Sequence, residues 1–273
     1  LRNLFVPSDF VSAGDKTFGD LVTEKMSTYG DEWSGVNFAD GQDGLYNPEK
    51  AKAEFAKAKE ALQGEGVQFP IHLDLPVDQT SKLNVSKAQS LKQTIEKSLG
   101  SENVVIDINQ LSSDDMQNVT LNAANAAAED WDISNGVAWG PDYQDPSTYL
   151  DIFKTTSSEN TKTFMGYDDP NNAAAAQVGL KDYDALLDSA SSETTDLNAR
   201  YDRYAQAQAW LEDSSLVIPL TVGNGAAPSI SRLTPFTGPY TQVGDKNSSY
   251  YFKFVKPQEK VVTKKEYEQS REK

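Results

Sequence analysis

Two aromatic side chains and two carboxylates lie close together in Trp139-Gly140-Pro141-Asp142-Tyr143-Gln144-Asp145. An aromatic wall beside a carboxylate suits a cation with apolar substituents, such as an α-ammonium group. The paired acids Asp142 and Asp145 also raise glycoside hydrolysis. Their spacing across a proline-bounded turn is no catalytic signature, and Asp145 is better used as a helix cap. Each residue has a plainer reading. Asp142 could be a turn acid satisfying backbone N–H groups beside Gly140-Pro141. Trp139 could be ordinary core, and the Tyr143 hydroxyl could buttress the loop.

Other chemistries lack their residues. The chain has no cysteine, which removes thiolate catalysis, disulfides and Cys-ligated zinc. Its single histidine, His72, sits in an alternating stretch without a Ser-His-Asp context, so neither a hydrolase triad nor a His-rich metal site is expected. Asp168-Asp169 and Asp182 with Asp184 lack calcium-loop spacing and read as surface charge. Catalytic residues, metal ligands and cofactors are therefore all expected to be none, and the chain is not expected to be an enzyme.

The loop is positioned by what flanks it. Trp131 to Trp139 reads as a strand, and Asp145-Pro146 as an N-cap followed by a first-position proline. A strand ending in a loop that enters a helix is where α/β proteins place ligand contacts. Upstream, Asn47-Pro48-Glu49 opens a helix whose stripe is Ala51, Phe55, Ala58 and Leu62, stopped by Gly64 and Gly66. A strand over Phe69 to Leu75, a helix from about Val85 to Leu99 closed by Gly100, and a strand over Asn103 to Ile108 form a βαβ unit. Hence the fold class is α/β.

Further helices are expected at Phe18 to Met26, Ser113 to Ala127, Lys181 to Ser191 and Asn198 to Glu212. In the last, Tyr201, Tyr204, Ala205, Gln208 and Leu211 share a face. Thr155 to Asn172 reads as a surface excursion, Leu216 to Leu220 as a buried strand and Ser229 to Leu233 as a short one. Lys264 to Lys273 reads as a frayed helix.

Forty-one acidic against 25 basic residues give a net charge of −16. Nucleic acid, which needs basic surface to displace counterions, is not an expected partner. Acidity of this size fits a soluble exported protein. No stretch approaches the roughly 18 apolar residues of a membrane span, and no basic-then-apolar segment opens the sequence. The opening at Leu1, without Met, fits a piece of a longer polypeptide.

The string WGPDYQDPSTYLDIF resembles the W-x-x-D-Y-x-D/E-P signature of the oligopeptide-binding proteins of ABC importers. LRNLFVPSDF, YGDEW, QDGLYNPEKAKAEFAKAKEAL and ARYDRYAQAQAWLEDSSLVIPL are similar to the same family, in its Gram-positive lipoprotein form. The resemblance covers nearly the whole chain but only the family's C-terminal lobe. It implies one lobe of a two-lobe periplasmic-binding-protein-like fold, with a mixed sheet flanked by helices. Residues 1–225 would form the α/β ligand-binding lobe. Residues 226–273 would be a return segment packing on the N-terminal lobe of the same receptor.

The implied function is capture of extracellular oligopeptides for an ABC permease, at a cell surface reached through a lipid anchor on the missing N-terminal part. Asp142 would hold the ligand's α-ammonium, with Trp139 lining a side-chain pocket beside Tyr143. The backbone at Asn135, Ala138 and Gly140 would pair with the extended peptide. The alternative of another class is a non-catalytic scaffold domain without a working peptide site.

Overall fold

The computed structural model of the chain describes residues 3–39, 45–134, 139–157, 165–166, 171–221, 232–235 and 255–271. Two apolar cores organise them.

The first core is built by the N-terminal segment and four helices. Strands β1 (Ser12–Ala13) and β2 (Lys16–Thr17) form a small antiparallel hairpin that the sequence reading did not include. Helix α1 (Phe18–Met26) follows at once, matching its expected bounds. A capping box fixes its start: the Asp20 N–H donates to Thr17 Oγ1 at 3.2 Å, and the Thr17 N–H donates to the Asp20 carboxylate at 2.8 Å. Phe18, Leu21, Val22 and Met26 recur at helical spacing and are all buried. They pack with Leu4, Val6 and Phe38 against the long C-terminal helices.

The second core is the βαβ unit. Helix α2 (Pro48–Gly64), capped by Asn47, precedes it. Only Phe55 of α2 joins this core, while Ala51 and Ala58 of the expected stripe are exposed. Alanine buries too little area to hold a helix face down, so α2 lies on the surface. Strands β3 (Ile71–Asp78) and β4 (Val104–Leu111) pair in parallel, Ile71 opposite Val104 through Asp78 opposite Leu111. Helix α3 (Lys82–Leu99), capped by Ser81, crosses between them, and Ala88 seats against Leu75, Val77, Val104 and Ile106. Polar side chains cover the free edge of β4 at one point. The Ile106 N–H donates to Glu96 at 3.0 Å, and Lys92 Nζ donates to the Ile106 carbonyl at 2.6 Å. His72 is exposed on β3 and pairs with Asp107 of β4 at 2.7 Å.

Several expected elements differ. The helix over Ser113 to Ala127 is only α4 (Ser113–Asn118), with Ser112 as its cap. Beyond it Asn122 and Asn125 bond the backbone and side chains of a turn, and the Asn125 side chain starts a separate 3-10 turn over Ala126–Ala128. Asn competes with the helical backbone in this way. The strand over Trp131 to Trp139 is not a strand in its described residues. Asp132 and Ile133 both donate to the Asp74 carbonyl at 3.0 Å, and the Asp74 N–H donates to the Asp132 carboxylate at 2.8 Å. This segment therefore meets the outer edge of β3 at one residue only; residues 135–138 lie outside the described ones.

Helix α5 (Ser147–Leu150) is a single turn, and α6 (Ala173–Gln177), a helix not expected from the sequence and lying just after the surface excursion, is another. Helices α7 (Leu180–Ser191) and α8 (Leu197–Ser214) extend their expected spans slightly. On α8, Tyr204, Ala205, Gln208 and Leu211 are buried as expected, with Tyr201 half-buried. Leu216 to Leu220 is not a buried strand: Val217 packs inward, but Ile218 is 65% exposed and Leu216 and Leu220 are also exposed. No described strand lies beside it to satisfy its backbone. Of the short strand at Ser229 to Leu233, residues 229–231 lie outside the described ones; Leu233 bridges to Pro257, and the Arg232 carbonyl accepts from the Gln258 N–H at 2.7 Å. Helix α9 (Lys264–Arg271) has no buried residue. The α/β class holds, with mixed pairing divided between the hairpin and the parallel pair. Among the described residues no helix is long and apolar enough to cross a membrane.

Candidate functional site

The loop from Trp139 into α5 lies against the first core. Trp139 is half-buried and packs on that core, while Gly140, Asp142 and Tyr143 are exposed, Tyr143 by 53%. The structure thus places four of the six candidate residues on one short stretch. Asn135 and Ala138 fall outside the described residues.

Local bonds fix the stretch. The Asp142 N–H donates to Thr148 Oγ1 at 2.9 Å, and the Asp145 N–H to the Tyr143 carbonyl at 3.0 Å. Gln144 Nε2 reaches the Phe10 carbonyl at 3.2 Å. The Tyr143 hydroxyl lies 3.4 Å from Ser147 Oγ, a long contact consistent with a ring that remains mainly in solvent. Among the described residues the Asp142 carboxylate has no ion-pair partner.

Asp145 is the opposite case. Pro146, not Asp145, occupies the cap position and already has helical dihedrals, φ −57 and ψ −26. Asp145 still does a cap's work one residue removed, because its Oδ1 accepts from the Ser147 N–H at 3.1 Å and from Ser147 Oγ at 2.6 Å. Its carboxylate also takes the Arg200 guanidinium in a two-pronged pair: Nε to Oδ2 at 2.8 Å and Nη2 to Oδ1 at 2.9 Å. Burial pushes the Asp145 pKa up, but Arg200 and the Ser147 donors outweigh it and hold the carboxyl below its ordinary value. The remaining guanidinium nitrogen, Nη1, donates to the carbonyls of Ala190, Ser191 and Glu193.

Four further contacts anchor the helix that follows. The Tyr183 hydroxyl donates to the Leu150 carbonyl at 2.8 Å, and the Thr155 N–H to Asp184 at 2.9 Å. Thr155 Oγ1 also bonds Asp184, and Lys154 pairs with Asp188. Asp184 is therefore a structural acceptor and not merely surface charge. Asp151 sits among Lys154, Asp145, Arg200, Tyr204 and Tyr183, and burial raises its pKa to about 6. Sequence reasoning missed Arg200, Thr148 and Asp151. One signal was present: Arg200 lies one turn before Tyr204 on the face of α8 that enters the core, where an arginine needs a partner.

A hollow of about 250 Å³ lined by Thr23, Ser27, Asp31, Trp33 and Val36 includes none of the loop residues. No group of three or more metal-ligating side chains occurs among the described residues. The stretch offers one exposed carboxylate, Asp142, next in sequence to the exposed ring of Tyr143, and such groups can hold a cation without covalent chemistry.

Comparison with known proteins gives a consistent result. The profile of the bacterial extracellular solute-binding proteins, family 5 (middle region), matches residues 9–161. The chain is 65% identical over its whole length to the oligopeptide-binding protein AmiA of Streptococcus pneumoniae, of which it spans 41%. It is 59% identical to the oligopeptide-binding protein SarA of Streptococcus gordonii, again spanning 41% of that protein. Among solved structures, the substrate-binding domain of an oligopeptide ABC transporter from Bacillus anthracis superposes with a TM-score of 0.55 at 22% identity, covering 80% of this chain and 34% of that one. A peptide-binding protein of a peptide ABC transporter gives a TM-score of 0.52 at 21% identity, covering 80% of this chain and 77% of its own. These two likenesses establish a shared fold; the profile match over more than half the residues establishes the family. The chain belongs to the bacterial extracellular solute-binding proteins, family 5.

Proposed function

We propose that this chain is the C-terminal lobe of a two-lobe receptor that captures extracellular oligopeptides for an ABC importer. The observation that carries the reading is the exposed Asp142 carboxylate, held on a fixed loop while its neighbour Asp145 is neutralised by Arg200. Asp142 holds the peptide's α-ammonium through a charge-assisted bond. Trp139 and Tyr143 flank it, and the backbone at Asn135, Ala138 and Gly140 pairs with the extended peptide, giving affinity without reading sequence. The similarity to proteins named for oligopeptide binding supports the ligand class. Binding and closure of two lobes are the whole mechanism, so no bond of the ligand is made or broken.

Residues 1–225 are the ligand-binding lobe, and residues 226–273 return to pack on an N-terminal lobe. The partners are that lobe and an ABC permease, and the site of action is the outer cell surface, reached through a lipid anchor on the N-terminal part. One lobe supplies only one wall of a cleft, so this chain alone binds weakly.

The test is chemical-shift perturbation by tetra- to octapeptides, free or N-acetylated, followed by affinity in the polypeptide with both lobes. Free amines should shift Gly140 to Tyr143. Asp142→Asn should weaken free-amino peptides about ten- to hundredfold and leave N-acetylated ones nearly unchanged. Equal loss for both kinds would refute the role of Asp142.

A further inference from the structure

A loop with two acids three positions apart does not by itself present a single, defined negative charge. The structure resolves which acid is free. All the hydrogen bonds of the Asp145 carboxylate point inward: Oδ1 accepts from the Ser147 N–H, Ser147 Oγ and Arg200 Nη2, and Oδ2 accepts from Arg200 Nε. Arg200 comes from α8, 55 positions away, and its side chain is 16% exposed against 17% for Asp145.

The same guanidinium is committed elsewhere. Nη1 takes the carbonyls of Ala190, Ser191 and Glu193 at 3.2, 3.1 and 3.2 Å. Its carbon stands 5.0 Å from the centre of the Tyr204 ring. One planar cation thus joins three pieces of chain: the candidate loop, the end of α7 with the turn after it, and its own helix. A lysine could supply the charge but not five donors in a fixed fork.

Resting on the α-ammonium reading above, we propose that Arg200 is a positioning residue for ligand recognition. Through Asp145 it fixes the loop so that Asp142 alone presents negative charge, and so sets the preference for ligands with a free amino terminus. Two effects would follow its loss, and they oppose each other. The loop loses its anchor, which lowers the preference. Asp145 gains an uncompensated charge, which adds a diffuse attraction for cations. Asp145 still points at Ser147, so loss of position dominates.

The experiment uses the polypeptide with both lobes and a C-terminally fluorescent pentapeptide, free or N-acetylated. Anisotropy titration gives the ratio of the Kd for the N-acetylated peptide to that for the free one. Arg200→Lys keeps the charge and loses the fork. The double variant Asp145→Asn with Arg200→Gln loses the fork without leaving a buried unpaired charge, so it keeps the fold where a single deletion fails. Positioning predicts that both lower the ratio about tenfold. A ratio unchanged in both, even with a lower Tm, overturns the inference and leaves Arg200 a stabilising residue only. A ratio kept by lysine but lost in the double variant overturns it in favour of charge alone. Asp142→Asn separates this result from the reading beneath it. If that variant leaves the ratio unchanged, the ammonium site and this inference fall together. If it abolishes the preference while Arg200→Lys does not, only the role of Arg200 falls.

Discussion

Asp151→Asn should stabilise the protein at neutral pH. Asp151 lies in the 3-10 turn after α5, and burial raises its carboxyl from the ordinary 3.8 to about 6. Lys154 and Arg200 pull it back down, Asp145 pushes it up, and Tyr204 of α8 lowers it slightly. Tyr183 of α7 is the other titratable group facing it. Between about pH 4 and 6 the native state binds more protons at this site than the unfolded chain, so stability falls as pH rises through that window. The contribution is present in full below the unfolded pKa and is lost above about 6. A midpoint difference of about two pH units corresponds to about 3 kcal/mol. Half-burial and screening by water reduce that to about 1–2 kcal/mol. Asparagine removes the ionisation and keeps the shape, and Asp151 Oδ1 has no described donor to lose. Urea unfolding of both proteins from pH 3.5 to 8 checks this. The mutant should equal wild type near pH 4, gain about 1–2 kcal/mol by pH 6.5, and hold that gain above. A difference that does not change with pH, or a mutant less stable at pH 8, would refute the reasoning.

Tyr183→Phe leaves the buried Leu150 carbonyl without its hydroxyl donor. Thermal unfolding should record a loss of about 1–2 kcal/mol; no loss would mean the bond contributes nothing net. For the proposed return segment, amide exchange at residues 255–271 should be fast in this chain, since α9 buries no side chain, and slow when the N-terminal lobe is present. Strong protection in this chain would remove the case for packing on another lobe.

Local signals were legible wherever one residue decides a conformation. Asn47 with Pro48, and Gly100, mark helix ends that the structure keeps. Periodicity located α8 and the βαβ unit with α3, because each buries an apolar face. The expected strand at Leu216 to Leu220, a continuous apolar run, failed because no described strand lies beside it. The expected strand at Trp131 failed for a related reason. Its described part meets β3 at Asp74 alone, and a single contact does not make a ladder.

At the candidate site, the sequence by itself determined the inventory: Trp139, Asp142, Tyr143 and Asp145 on a proline-bounded turn, with no cysteine and one remote histidine. It separated the two aspartates only by giving Asp145 to the helix cap, and it named no charge partner for either. Tertiary structure decided that, by bringing Arg200 across 55 positions to Asp145 and Thr148 back to the Asp142 N–H. Caps and periodicities are set by neighbours within a turn or two of chain. The state of a carboxylate depends on which charge the fold carries to it, and no local pattern encodes that distance.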